Sequence, residues 1–129
     1  MSVRLTFFLA LAMTTLPAMS LAAASGPQVL RQLGEQLAAI RASQSPQRVA
    51  LDATPDVKPL IGSGRQAVLA QLGVPDNCAG GSEAQCLAAP AWNYSFVHLP
   101  PGRRGGGPEL MLLFNFRGAV SDAQWNYSR

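Results

Sequence analysis

Two stretches of the chain repeat apolar residues with the period of an α-helix. Over residues 27–43 an apolar side chain recurs every three to four positions, and polar residues fill the opposite face. Ser25 is placed to cap this helix, and Gly34 in its interior costs about 1 kcal/mol relative to alanine but permits close approach of a neighbour. The pattern predicts an amphipathic helix that either packs on the domain, which we favour, or stands off it as a tether.

A second, shorter helix is predicted in the middle of the chain. Ser63 begins a Ser-x-x-Gln capping box, which satisfies backbone N–H groups at a helix start. Val68 and Leu72 then fall on one face. Gly73 followed by Pro75 is typical of a helix end, because glycine accepts a positive φ and proline cannot continue the helix.

From residue 92 onward the apolar pattern changes to the period of two that is typical of β-strands. Three strands are predicted, over residues 92–98, 109–116 and 119–128. The second is apolar on both faces and is therefore expected at the centre of the sheet. The side chains predicted to face the core alternate along each strand: Trp92, Tyr94, Phe96 and His98; Leu110, Leu112, Phe114 and Phe116; Ala123, Trp125 and Tyr127.

These elements predict an α+β fold in which two helices pack on a three-stranded antiparallel sheet. A Gly- and Pro-rich loop at residues 100–108 joins the first two strands, and the Arg117-Gly118 pair forms a tight turn between the last two. The helices are the elements available to cover one face of the sheet. The core is expected to contain Val68, Leu72, Trp92, Tyr94, Phe96, Leu112, Phe114 and Trp125.

The chain has the length of one domain preceded by a secretory signal. Residues 1–24 combine Arg4, a mostly apolar middle and small residues at the end, and the apolar run is too short to span a membrane. Residues 25–59 hold the first helix and then a Pro-containing segment. This segment is either a linker or an extended stretch laid over the domain, and only its residues 48–52 could pair as a short strand. Residues 60–129 form the α+β domain. Without a cysteine near the cleavage site for lipid attachment, the mature chain is expected in the periplasm without a transmembrane segment.

Cys78 and Cys86 enclose seven residues that include Glu83. A structural disulfide closing a flexible loop is favoured, and it would stabilise the fold by about 2.5 kcal/mol. A reactive or metal-binding pair is the alternative, although the spacing is not Cys-x-x-Cys.

Catalytic, cofactor and nucleic-acid functions find little support in the composition. The formal net charge of +3 is too small to indicate nucleic-acid binding. His98 is the single histidine, and no nucleophile pattern or close carboxylate pair accompanies it. Residues 62–67 fit the G-x-G-x-x-A dinucleotide fingerprint, but no clean buried strand precedes them and no parallel βαβ unit follows. We therefore expect no enzyme activity and no cofactor; a small hydrolase is the third function class, and it would have to use His98.

Arg103 and Arg104 form one local basic spot within the flexible 100–108 loop. Solvated charge is the ordinary interpretation of such a pair. The alternative is contact with an acidic partner, or weak contact with an anionic membrane surface.

The order of these motifs resembles the SmpA/OmlA (BamE-like) domain family of bacterial envelopes over about residues 60–127. That resemblance implies a packed α+β domain that binds other envelope proteins. This chain departs from the family in having no cysteine near residue 24 to carry a lipid. The positions that carry it are packing and turn residues: Gly62, Val68, Leu72, Gly73, Pro75, Trp92, Tyr94, Phe96, Phe116, Gly118 and Val120.

Residues 65–81 with the cysteine that follows are also similar to the β-lactamase inhibitory protein fold. This second resemblance implies that Cys78 and Cys86 are a bridged pair. The inhibitor has two tandem domains, whereas this chain has room for one.

The sequence thus predicts a non-enzymatic periplasmic protein-binding domain, an accessory or scaffold in outer-membrane and envelope assembly. The alternative is a periplasmic inhibitor or immunity protein that presents the bridged loop to a secreted or periplasmic enzyme. The candidate partner contacts are Arg103, Arg104, Glu83 and His98.

Overall fold

The computed structural model describes residues 24–78 and 82–127, so the predicted signal lies outside the described residues except for Ala24. Within them the chain is an α+β protein. Its helices are α1 (Gly26–Arg41), a 3-10 turn (Lys58–Leu60), α2 (Arg65–Leu72) and α3 (Glu83–Ala88). Its strands are β1 (Val49–Ala50), β2 (Asn77–Cys78), β3 (Ala91–Ser95), β4 (Val97–His98), β5 (Pro108–Phe114) and β6 (Val120–Tyr127).

The strands form two antiparallel sheets. Four of them pair in the order β2-β3-β5-β6, and β1 pairs with β4 as a separate two-stranded ladder. The predicted antiparallel meander is present as β3-β5-β6, and β5 does lie between two other strands. The predicted fold of two helices on three strands is nevertheless too simple, because the structure adds a third helix, α3, and a fourth strand in the main sheet, β2.

Both elements come from the segment between the cysteines and its flanks, where the sequence predicts a flexible loop. Ser82 caps α3: its Oγ accepts a hydrogen bond from the backbone N–H of Gln85, and the Gln85 side chain accepts one from the N–H of Ser82. This Ser-x-x-Gln box satisfies the first turn of a helix only six residues long.

The predicted capping box at Ser63 does not form. α2 begins at Arg65, and its N-cap residue is Gly64, which has no side chain to cap the helix. The backbone of this segment instead pairs with the start of β6, where Gly62 N–H donates to Val120 O and Val120 N–H donates to Ser63 O, both at 2.8 Å. At the other end of α2 the prediction is confirmed, since Gly73 ends the helix with φ at +73°.

α1 packs on the rest of the chain rather than standing off it. Its capping box at Ser25 is formed, and its apolar face joins the same hydrophobic core as the sheet. A β-carbon on Gly34 would overlap the backbone carbonyl of Gln71 in α2. The absence of a side chain at Gly34 is therefore what allows α1 and α2 to touch.

The segment at residues 45–60 lies over the domain as well. β1 pairs with β4 through Val49 opposite His98, and the side chains of Val57 and Leu60 are buried in the common core. Residues 45–60 are therefore an extended segment packed on the domain rather than a free linker.

One face of the four-stranded sheet and the helices enclose the core. Seven of the eight residues expected there are buried, and Trp125 is half-buried: its indole N–H donates to Pro55 O at 2.9 Å and its ring packs edge-on against Phe96. His98, expected on the same face, is half-buried in its short ladder.

Two aromatic residues predicted to face inward are exposed instead. Phe116 is 93% exposed because β5 ends at Phe114 and the chain turns there. Tyr127 is 70% exposed at the last described position of β6.

Phe114 and Phe116 therefore form a matched pair for testing the strand faces. Phe114 is 7% exposed and packs edge-on against Trp92, with ring centroids 4.6 Å apart. Phe114→Ala should lower the free energy of unfolding by about 3–5 kcal/mol, because it leaves a cavity in the core. Phe116→Ala should change it by less than about 0.5 kcal/mol. Urea denaturation measures both, and equal effects of the two variants would contradict this core.

Candidate protein-binding surfaces

A rigid turn between β5 and β6 presents Phe116 to solvent. Asn115 Oδ1 accepts hydrogen bonds from the N–H groups of Arg117 and Ala119, at 3.0 and 3.1 Å. Gly118 supplies the positive φ that the turn requires, at +74°, and its N–H donates to Asn115 O. The local bonds hold the backbone in place, so Phe116 is exposed on an ordered element.

Arg65 is held in a fixed position next to this turn. Its Nη1 donates to Leu87 O and Ala89 O, at 3.0 and 2.8 Å, and its guanidinium lies 4.3 Å from the centre of the Phe114 ring and 5.3 Å from that of Trp92. Cation–π contact and two charge-assisted hydrogen bonds both favour this position.

Arg65 and the turn line one cleft of about 570 Å³. The Arg117 guanidinium lies 5.4 Å from the centre of the Phe116 ring, so this cleft carries two cations and an exposed aromatic ring. No carboxylate lines it. Its chemistry suits a partner that offers an apolar side chain or pocket together with an acidic group.

The predicted basic spot is larger than the sequence indicated. Arg103 and Arg104 are exposed, and with Arg48 they line a depression of about 360 Å³. Arg48 anchors the loop, since its Nε and Nη2 donate to Gly106 O at 3.1 and 2.7 Å and Nη2 also contacts the Tyr127 hydroxyl at 3.4 Å. Nothing in the sequence pairs Arg48 with a loop more than fifty residues away.

The other two predicted contact residues lie apart from that depression. His98 pairs with Val49 and does not line it. Glu83 is exposed in the first turn of α3, where it lines a different depression with Cys78 and Cys86. The four candidate contacts therefore do not form one site.

The predicted disulfide between Cys78 and Cys86 is confirmed and joins β2 to α3. The same region is fixed from inside, because the indole N–H of Trp92 donates to Cys86 O at 2.9 Å. The bridge and the indole together hold α3 against the sheet.

A polar network joins the end of α1 to the sheet. Arg41 and Asp76 form a salt bridge at 3.1 Å, and Asp76 Oδ2 also accepts the N–H of Ser95 at 2.8 Å. The Tyr94 hydroxyl donates to Gly73 O at 2.8 Å, and burial raises the pKa of Tyr94 well above its usual value. These bonds tie the end of α1 and the end of α2 to the sheet.

The outer face of the four-stranded sheet is half-exposed. Met111 and Leu113 project from β5 between the side chains of Asn93 on β3 and of Asp122 and Gln124 on β6. Antiparallel sheets commonly leave one face to solvent, so this face is available to a partner without being evidence for one.

Residues 24–78 and 82–127 hold no group of three or more His, Cys, Asp and Glu side chains suited to a metal ion. No helix in this part of the chain is long and apolar enough to cross a membrane. Comparison with known proteins finds no matching family model, curated protein or solved structure.

Removing the disulfide should destabilise the fold without changing the exposed turn. The double variant Cys78→Ser with Cys86→Ser should lose about 2.5 kcal/mol of unfolding free energy, since the open segment regains the entropy of an unclosed loop. Urea denaturation of this variant, with reduced wild type as its control, measures the loss. If the double variant and the reduced wild type were both as stable as the oxidised wild type, the disulfide would add nothing to the stability that the indole bond provides.

Proposed function

We propose that the chain is a non-enzymatic protein-binding domain of the bacterial cell envelope, with an accessory or scaffold role in outer-membrane assembly. Export to the periplasm is supported by the pattern of residues 1–24 and by the disulfide between Cys78 and Cys86. In this proposal the domain needs no cofactor and binds no nucleic acid. The resemblance of the motifs to BamE-like domains supports the envelope role.

The exposed ring of Phe116 is the observation that carries the proposal. A phenylalanine left 93% in water gains nothing from folding, yet Asn115 and Gly118 fix the backbone on either side of it. Aromatic residues that bury completely on binding dominate the energy of many interfaces. A ring on an ordered turn also loses little conformational entropy when it docks.

The charges around the ring indicate the kind of partner. Arg117 and Arg65 flank it, and no carboxylate lines their cleft. A partner with an apolar pocket and an acidic rim would complement both features. Arg48, Arg103 and Arg104 provide a second basic surface for an acidic partner or for weak contact with an anionic membrane.

An inhibitor or immunity protein is the second candidate function. It is favoured by the bridged segment, where the disulfide and the capping box of α3 hold Glu83 exposed on a fixed helix. Such a protein would present this segment to a soluble enzyme. Loss of binding on Glu83→Ala with Phe116→Ala neutral would favour this alternative.

Affinity capture from the native host tests the proposal. The full chain, purified with its disulfide formed, is used as bait for detergent-solubilised envelope and for soluble periplasm, with mass spectrometry as the readout. We expect outer-membrane barrels or their assembly machinery to be enriched. Phe116→Ala should lower that enrichment about tenfold or more, because a buried aromatic anchor is lost.

Ile61→Ala is the matched control, because Ile61 is a half-exposed apolar residue on a different part of the surface. It should leave the enrichment unchanged. Capture that is insensitive to Phe116→Ala would exclude the turn as the contact. Stoichiometric recovery of one soluble enzyme would replace the scaffold role by the inhibitor role.

A further inference from the structure

The two-stranded ladder brings one arginine to a loop that carries two others. β1 and β4 pair with Val49 opposite His98, so Arg48 lies where β4 gives way to the loop at residues 100–108. Arg48 donates to Gly106 O through Nε and Nη2, at 3.1 and 2.7 Å. These bonds tie the far end of the loop to β1.

The near end of the same loop is a closed turn. Arg103 N–H donates to Pro100 O at 3.1 Å, and Gly102 between them has a φ of +79°. Proline followed by a glycine of positive φ at the two central positions is the pattern of a type II turn. Arg103 therefore stands on an ordered turn, close in sequence to the segment that Arg48 holds.

The guanidinium groups of these residues face a depression without a neutralising carboxylate. The basic depression, of about 360 Å³, is lined by Arg48, Arg103 and Arg104 together with Gln47 and Leu99. Within residues 24–78 and 82–127, the side chains of Arg103 and Arg104 make no hydrogen bond and no ion pair. Like charges gathered in one place repel each other, so an anion that enters the depression is attracted by all three.

We infer that the basic depression binds a phosphomonoester group, either inorganic phosphate or the phosphate headgroup of a lipid. The inference deepens the proposed function and rests on it, because that function exposes this surface to the anions of the cell envelope. One guanidinium already matches both oxygens of a carboxylate. A phosphomonoester has three terminal oxygens and a charge of about −1.5 to −2 at pH 7, so it offers an oxygen to each arginine.

A phosphate titration of the purified full chain, followed by two-dimensional amide NMR at constant ionic strength, tests the inference. We expect saturable shifts at the amides of residues 102–106 and at the Nε–H of Arg48. Acetate should bind about tenfold more weakly, because a single arginine satisfies it. The absence of a saturable shift with phosphate would overturn the inference. Acetate that binds as tightly as phosphate would also overturn it, in favour of the carboxylates of an acidic protein.

Two double variants separate the depression from the net charge of the chain. Arg103→Ala with Arg104→Ala should weaken phosphate binding about tenfold or more, because two of the three charge-assisted contacts are lost. Arg31→Ala with Lys58→Ala is the matched control, since it removes the same charge from exposed residues outside the depression. Screening makes distant charges count little, so the control should change the affinity by less than about twofold. Equal weakening by both variants would contradict the site.

Vesicles distinguish the two sources of the phosphate group. Binding to vesicles of phosphatidic acid in phosphatidylcholine, with competition by inorganic phosphate, would assign a lipid headgroup. Phosphate binding without vesicle binding would assign a soluble phosphate, and either result supports the inference. Phosphatidylglycerol carries a diester with a single charge and should bind more weakly in place of phosphatidic acid. Equally tight binding to both lipids would overturn the inference, since negative surface charge alone would then suffice.

The proposed function and this site fail separately. Phe116→Ala should leave phosphate binding unchanged, because Phe116 does not line the basic depression. Arg103→Ala with Arg104→Ala leaves the turn that presents Phe116 intact, because the bonds of that turn lie within residues 115–119.

Discussion

The fold depends on one buried polar group, the indole N–H of Trp92. The ring has no solvent exposure, so its N–H needs an acceptor inside the protein, and Cys86 O provides it at 2.9 Å. That bond helps to hold α3 against the sheet, together with the Arg65 bonds to Leu87 O and Ala89 O. The disulfide from Cys86 to Cys78 fixes β2 beside it, and Arg65 stacks across the same ring from α2. Three elements that are separate in sequence thus share one central side chain.

This arrangement holds α2 and α3 against the same face of the sheet and determines what remains exposed. Phe114 and Phe116 are two residues apart, yet one is buried under Arg65 and the other is in water. The difference arises because β5 ends between them, where Asn115 turns the chain. The exposed turn is therefore a direct consequence of where the core stops, and it is held in place by the same residues that close the sheet.

Much of the fold follows from local patterns that the sequence displays. The cap at Ser25, the alternation along β3 and β5, and the turn at Gly118 are set by neighbouring residues, and each was predictable. α3 was missed although Ser82 and Gln85 carry the same capping box as Ser25, because glycines beside them suggested a flexible loop. The box at Ser63 was misleading because pairing of its backbone with Val120 took precedence.

The candidate sites were less predictable than the fold. Alternation alone assigns Phe116 to the core, because the period of two continues past the end of β5 into the turn. The positions of Arg48 and Arg65 depend on Gly106 and on Leu87, which are distant in sequence, so no local pattern contains them. The surfaces that bear on function are thus set by tertiary contacts, which a single sequence does not display.

The proposal that the 115–118 turn binds a partner requires the turn to be formed before binding, on a core that does not change. Hydrogen–deuterium exchange of the full chain, with and without solubilised envelope extract from its host, tests this most directly. We expect added protection at residues 115–118 and no change at the Trp92 core. Added protection confined to α3 and the bridged segment, or none at the turn, would contradict it.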